Sequence, residues 1–187
     1  MGGKETAWLS GGCGVQWWSM RIIVSLVSAF VSLATLHADV LPVGAVVPDA
    51  AAKDQNGKDV VLKEVFQKGV TLVYFYPKSD TPGCTKQACS LRDDWTVLRE
   101  KGIQVLGVSG DPVSAQKAFE EKYQLPFTIV SDLEGKVATA FGVPMNNGKA
   151  QRSSFLVRDG KVVWVMEKAS TQDHSKDVLK AYSGLSK

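Results

Sequence analysis

The chain has few metal-binding side chains: three cysteines and two histidines among 187 residues. A structural zinc site usually takes four such ligands, often paired as C-x-x-C. Here Cys84 and Cys89 have four residues between them, and Cys13 lies far upstream. That spacing argues against zinc. A disulfide scaffold is not needed either, because 44% of the residues are apolar and can form a core without cross-links. An excess of one charge is also missing. The 22 Lys/Arg and 19 Asp/Glu leave a net charge of +3. Lys86 and the pairs Lys53/Lys58 and Lys176/Lys180 are isolated and form no basic stripe, which argues against nucleic acid as a partner. There is no glycine-rich phosphate loop, no conspicuous carboxylate pair, no repeat and no low-complexity linker. One domain with an extra segment is the expectation.

The extra segment is N-terminal. The stretch MRIIVSLVSAFVSLATLHA (20–38) places one Arg before an apolar run and ends on Ala38, the layout of a secretory signal peptide. Residues 22–38 are also about the shortest length able to span a bilayer, so a membrane anchor is the alternative. Met20 offers a second start site, which would leave residues 1–19, with five glycines and three tryptophans, untranslated. The expectation is a leader over 1–38 and a domain over 39–187. The location is then exported or periplasmic, with membrane-anchored and cytoplasmic as alternatives.

Strand and helix patterns alternate after the leader. GVTLVYFY (69–76), IQVLGVS (103–109) and TIVS (128–131) are continuous β-branched and apolar runs, which suit strands buried on both faces. Asn56-Gly57 and Asp159-Gly160 predict hairpin turns. Asp111-Pro112 predicts a helix start running to Tyr123, and Ser131-x-x-Glu134 a capping box before a helix near 132–141. A last helix is expected near 173–183, and Met145–Gly148 as a loop. Trp95, Trp164, Tyr74, Phe75 and Tyr76 are expected in the core. The order argues for an α/β domain with a mixed central sheet and flanking helices.

The cysteine stretch TPGCTKQAC (81–89) follows the first buried run directly. Thr81 suits an N-cap and Pro82 the first helical position, so Cys84 falls in the first turn. Ala88, Leu91, Trp95 and Leu98 continue its face at steps of four and three, so Cys84 heads the core-facing stripe. Cys89 turns toward the polar side with Arg92, Asp93 and Thr96. Five residues rise roughly 7.5 Å along a helix. A disulfide usually needs Cα atoms within about 6.8 Å. The two thiols therefore cannot bond while the helix is intact, and any bond between them requires local unwinding. A thiolate at a helix N-terminus is favoured by the macrodipole and the free N–H groups. Gly83 lets the backbone approach a small substrate closely. A redox pair and two ordinary half-buried cysteines both remain open on these grounds.

The stretch FYPKSDTPGCTKQAC (75–89) resembles the peroxiredoxins, matching P-x-x-x-T-x-x-C through Pro77, Thr81 and Cys84. The offset to Cys89 is similar to the bacterioferritin comigratory protein (PrxQ) subgroup. The likeness continues through LGVSGDP (106–112), KYQLPFTIVSDLEGKVATAFGV (122–143) and RSSFLV (152–157), and is thinnest after about residue 165. The resemblance implies a thioredoxin-like fold and a thiol-dependent peroxidase acting on hydrogen peroxide and organic hydroperoxides. It implies Cys84 as the peroxidatic cysteine and Cys89 as the resolving one, joined in an intramolecular disulfide. Thr81 would hydrogen-bond the thiolate or the peroxide, Arg152 would supply a stabilising guanidinium, and Pro77 and Gly83 would shape the pocket. It further implies a thioredoxin-like reductant, a monomer, and no cofactor or metal. Gln87 departs from the pattern, since many relatives carry Glu there. The alternatives are an exported thiol–disulfide oxidoreductase, which the missing C-x-x-C disfavours, and a non-enzymatic redox-switch binding protein.

Overall fold

A computed structural model describes residues 39–185; the expected leader lies outside the described residues. The elements run β1 (Ala51–Asp54), β2 (Asp59–Val61), α1 (Leu62–Phe66), β3 (Val70–Phe75), α2 (Pro82–Asp93), α3 (Trp95–Glu100), β4 (Ile103–Ser109), α4 (Val113–Tyr123), β5 (Thr128–Ser131), α5 (Lys136–Ala140), β6 (Met145–Asn146), β7 (Lys149–Ala150), β8 (Ser153–Arg158), β9 (Lys161–Met166) and α6 (His174–Leu185). Seven strands form one sheet in the order β2-β1-β5-β4-β3-β8-β9. β3, β4 and β5 are parallel, while β1 joins β5 and β8 joins β3 antiparallel. This is the expected mixed sheet with flanking helices.

Alternation along the strands divides the core between the two faces of the sheet. On β3, Val73 and Phe75 join a cluster with Leu62, Phe66, Val137 and Phe141 from α1, α5 and the turn after α5. Leu72, Tyr74 and Tyr76 face the other way, into a cluster with Cys84, Ala88, Leu91, Phe119 and Val178 from α2, α4 and α6. Every residue of β3 is buried, which is why the run shows no polar alternation. Tyr74 fits because its neighbour across the sheet is Gly107; a Cβ there would lie 2.8 Å from the tyrosine ring.

Several local expectations are corrected. Ser131 does not cap α5: its hydroxyl donates to the Asp111 carbonyl, and Glu134 pairs instead with Lys136. The N-cap is Gly135, and the first-turn N–H groups of Val137 and Ala138 donate to the Asp132 carboxylate at 3.0 and 2.8 Å. α4 starts one residue later than expected, because Pro112 is its N-cap. The Asp111 carboxylate is used elsewhere, accepting from Ser79 N–H and Ser109 Oγ. Met145–Gly148 is not a plain loop. Met145 and Asn146 pair with Ala150 and Lys149 across an Asn147-Gly148 turn, both turn residues at positive φ. Trp95 and Trp164 are only partly buried against the core. The Asn56-Gly57 and Asp159-Gly160 hairpins form as expected.

α6 is locked to the sheet through its first residue. His174 is fully buried, and its Nε2 lies 2.8 Å from Ser154 Oγ on β8. Burial pushes the imidazole pKa down from 6.5 to about 4; Asp177 opposes this and Arg152 reinforces it. The unfolded chain therefore binds a proton near pH 6.5 that the folded chain refuses until about pH 4. The stability this ring contributes is complete above pH 6.5 and is lost as pH falls toward 4. Urea denaturation should show wild type losing about 2 kcal/mol more than His174→Gln between pH 7 and pH 5. Equal losses would contradict the buried neutral ring.

Candidate active site

The site begins where β3 ends. Tyr76 still bonds to the β4 backbone, its N–H donating to Val108 O at 3.0 Å, and Pro77 then stops the ladder. The loop that follows is held from α4. Gln116 Oε1 accepts from Tyr76 OH (2.6 Å) and Ser79 Oγ (3.0 Å), while its Nε2 donates to Ser109 Oγ and Val130 O. Asp80, in the left-handed region at φ 59°, accepts from Lys122 Nζ and Tyr123 OH. Those two donors pull its carboxyl below the usual range. The loop thus reaches α2 in one defined direction.

Thr81 is the N-cap of α2 and Pro82 opens the helix, as the sequence implies. The Thr81 hydroxyl does not make the capping bond. It donates to Lys78 O at 3.0 Å, while the Thr81 carbonyl accepts from Thr85 N–H. Cys84 is the third helical residue and only 1% exposed. The sheet brings Arg152 to it. Phe75, at the end of β3, is in register with Ser153, at the start of β8, so the residue before β8 stands over the strand-to-helix turn. Arg152 Nη2 donates to Cys84 Sγ at 3.2 Å. Its Nη1 donates to Gln87 Oε1 in a short contact. Gly83 leaves room for this: a Cβ there would lie 3.3 Å from Arg152 Nη2 and 3.7 Å from Thr171 Cγ2.

Gln87 is fully buried, one helical turn beyond Cys84 on the same face. Its Nε2 has no partner among the described residues. The i, i+3 spacing from Cys84 was the available signal for its place beside Arg152. Cys89 sits farther along, half buried. Burial pushes its thiol up; Arg92 opposes this and Asp93 adds to it. Both cysteines are free thiols. The structure thus brings together Cys84, Arg152, Gly83 and Gln87. Thr81 and Pro77 lie just before the helix, and Cys89 stands apart along it. A sulfur held at a helix N-terminus under a guanidinium suits a thiolate that attacks a small, polarisable electrophile. The guanidinium can also carry charge that develops on a leaving oxygen.

The model of the AhpC/TSA family matches residues 43–165. A chloroplastic peroxiredoxin Q of Gentiana triflora is 43% identical over 128 residues, covering 68% of this chain and 55% of that protein. The chain thus spans about half the length of the chloroplastic relatives it matches. A putative peroxiredoxin bcp of Coxiella burnetii is 37% identical over 147 residues, covering 74% of this chain and 97% of that protein. Among solved structures, the bacterioferritin comigratory protein of Xanthomonas campestris, described for its alkyl peroxide reduction activity, superposes with a TM-score of 0.70 at 28% identity. That match covers 80% of this chain and all of the other, 100%. With two thirds of its length under one family model and relatives that agree in name, the chain belongs to the AhpC/TSA family, in the group of peroxiredoxin Q and the bacterioferritin comigratory proteins.

Proposed function

We propose that the protein is a thiol-dependent peroxidase that reduces hydrogen peroxide and organic hydroperoxides. The observation that carries this reading is the Arg152 guanidinium at 3.2 Å from the Cys84 sulfur, at the start of α2. The Cys84 thiolate attacks one peroxide oxygen and the O–O bond breaks. Cys84 becomes a sulfenic acid, and the other oxygen leaves as an alkoxide or hydroxide that takes a proton. Arg152 stabilises the thiolate and then the leaving oxygen, and Gln87 holds the guanidinium in place. Thr81 and Pro77 border the approach, and Gly83 keeps it open. Cys89 gives up its proton and attacks the Cys84 sulfur as a thiolate, the S–O bond breaks, and the leaving hydroxide takes up that proton to depart as water. The result is an intramolecular disulfide, which a thioredoxin-like dithiol then reduces. The alkyl peroxide chemistry of the Xanthomonas campestris relative supports an organic hydroperoxide as substrate. The disulfide needs no second chain, which suits a monomer. The apolar segment at 20–38 supports export, with the reductant drawn from that compartment.

Peroxide consumption with dithiothreitol as reductant should be present in wild type and lost in Cys84→Ser. Turnover persisting in Cys84→Ser would reject the assignment of the reactive sulfur. One equivalent of peroxide should yield a Cys84–Cys89 disulfide by mass spectrometry, with helicity falling in step by circular dichroism. An unchanged helix signal alongside that disulfide would contradict the geometry. Gln87→Leu should lower kcat/KM about ten-fold or more, the scale of one hydrogen bond to a charged group. Gln87→Glu should stay within about three-fold of wild type, because a carboxylate accepts from the same guanidinium. Equal losses in the two variants would remove Gln87 from the site.

A further inference from the structure

α2 carries both thiols and must open between them, so whatever fastens its Cys89 end controls their meeting. That end is fastened to α6 by the residue next to Cys89. Ser90 Oγ lies 2.9 Å from Ser175 Oγ and donates to it. Ser175 N–H, a free donor in the first turn of α6, returns a bond to Ser90 Oγ at 3.1 Å. Ser175 Oγ donates onward to Asp94 Oδ2 at 2.6 Å, just past the end of α2. The three side chains form one chain of bonds in which each hydroxyl both donates and accepts, and the Asp94 carboxylate ends it.

The α6 side of these bonds is buried. Ser175 is 2% exposed, and its neighbour His174 is tied through Nε2 to Ser154, two residues along from Arg152. Val178, one turn on, is fully buried. Another tie on this end of α2 is weaker. Arg92 Nη1 donates to Tyr123 O at 2.9 Å, but from a side chain 34% exposed, where water replaces a lost bond at little cost. Ser175, 2% exposed, lacks that replacement. These three side chains meet outside the thiol pocket: neither serine nor Asp94 bonds to Cys84, Arg152 or Gln87 among the described residues. Ser175 also lies beyond the residues matched by the family model.

We propose that Ser90, Asp94 and Ser175 form a clasp that holds the Cys89 end of α2 helical and sets the rate at which Cys89 reaches Cys84. The inference rests on the peroxidase reading for its chemistry, in which a Cys84 sulfenic acid and the Cys89 thiol give a disulfide and water. They are positioning residues and leave the attack on peroxide untouched. In the reduced protein, Ser175→Ala should speed hydrogen exchange of the α2 amides around Cys89 about ten-fold, equivalent to about 1.4 kcal/mol. Exchange in β4 should keep its wild-type rate. After rapid mixing with peroxide, Cys84 oxidation should be unchanged and disulfide formation about ten-fold faster, by the same opening equilibrium. Ser90→Ala, at a half-exposed position, should act in the same direction and serves if Ser175→Ala does not fold. Diamide, which couples thiols directly without a sulfenic acid, provides an arm that does not need peroxidase chemistry. Faster diamide coupling in the variants, with no peroxide reaction in wild type, would overturn the peroxidase reading and leave the clasp standing. Folded variants whose α2 exchange and coupling rates equal those of wild type would overturn the clasp, as would variants in which both slow.

Discussion

The contact between the Arg152 guanidinium and the Cys84 sulfur depends on one fact of sheet topology: β8 lies antiparallel against β3 with Phe75 opposite Ser153. β3 delivers the chain to the N-terminus of α2, and β8 starts at the same level. A register shift of one residue would turn the side chains of β8 to the opposite faces and carry the Arg away from the helix start. The Tyr74 ring over Gly107 fixes β3 against β4, and the Gln116 bonds fix the direction of the loop that leaves it. The core packing therefore does more than stabilise the domain, because it fixes where a cation stands relative to a thiol.

Under the proposed chemistry, α2 has two purposes that pull against each other. Its intact first turn presents Cys84 to the free N–H groups and to Arg152, and its intact length keeps Cys89 about 7.5 Å farther along the axis. Attack on an electrophile calls for the ordered helix, whereas pairing of the two thiols calls for its loss. The surroundings reflect this division. The start of α2 is approached through a loop pinned by Gln116, Asp111, Lys122 and Tyr123. The far end is held by a small set of hydroxyl and carboxylate bonds to α6 and by Arg92. Hydrogen bonds of this kind are modest individually, so the far end can release while the core stays packed.

Much of this was legible in the sequence where the signal is local. Uninterrupted β-branched runs marked the central strands, Asn-Gly and Asp-Gly marked hairpin turns, and Thr81-Pro82 marked the start of α2. The stripe from Cys84 through Ala88 and Leu91 gave its buried face. Motif likeness added Arg152, which spacing alone could not have linked to a cysteine 68 positions earlier. What stayed hidden depends on partners remote in sequence. Ser131 reads as a capping residue until the Asp111 carbonyl claims its hydroxyl, and the Asp132 carboxylate takes the first-turn N–H groups of α5 instead. The Met145–Ala150 hairpin has strands of two residues, too short for any periodicity. Ser90, Asp94, His174 and Ser175 look like ordinary polar residues of two helices; only the packing of α6 on α2 and on β8 shows what each one bonds.

In the proposed reaction, Arg152 acts on the Cys84 sulfur during attack on the peroxide. The direct measurement is the second-order rate of Cys84 oxidation by hydrogen peroxide, followed by stopped flow in wild type and in Arg152→Met. Arg152→Met should lower that rate about 100-fold or more, the scale of removing one charged stabiliser from a reacting centre, with the fold intact by circular dichroism. A rate in Arg152→Met within about three-fold of wild type would contradict it, since the guanidinium would then be a structural neighbour of the sulfur and nothing more.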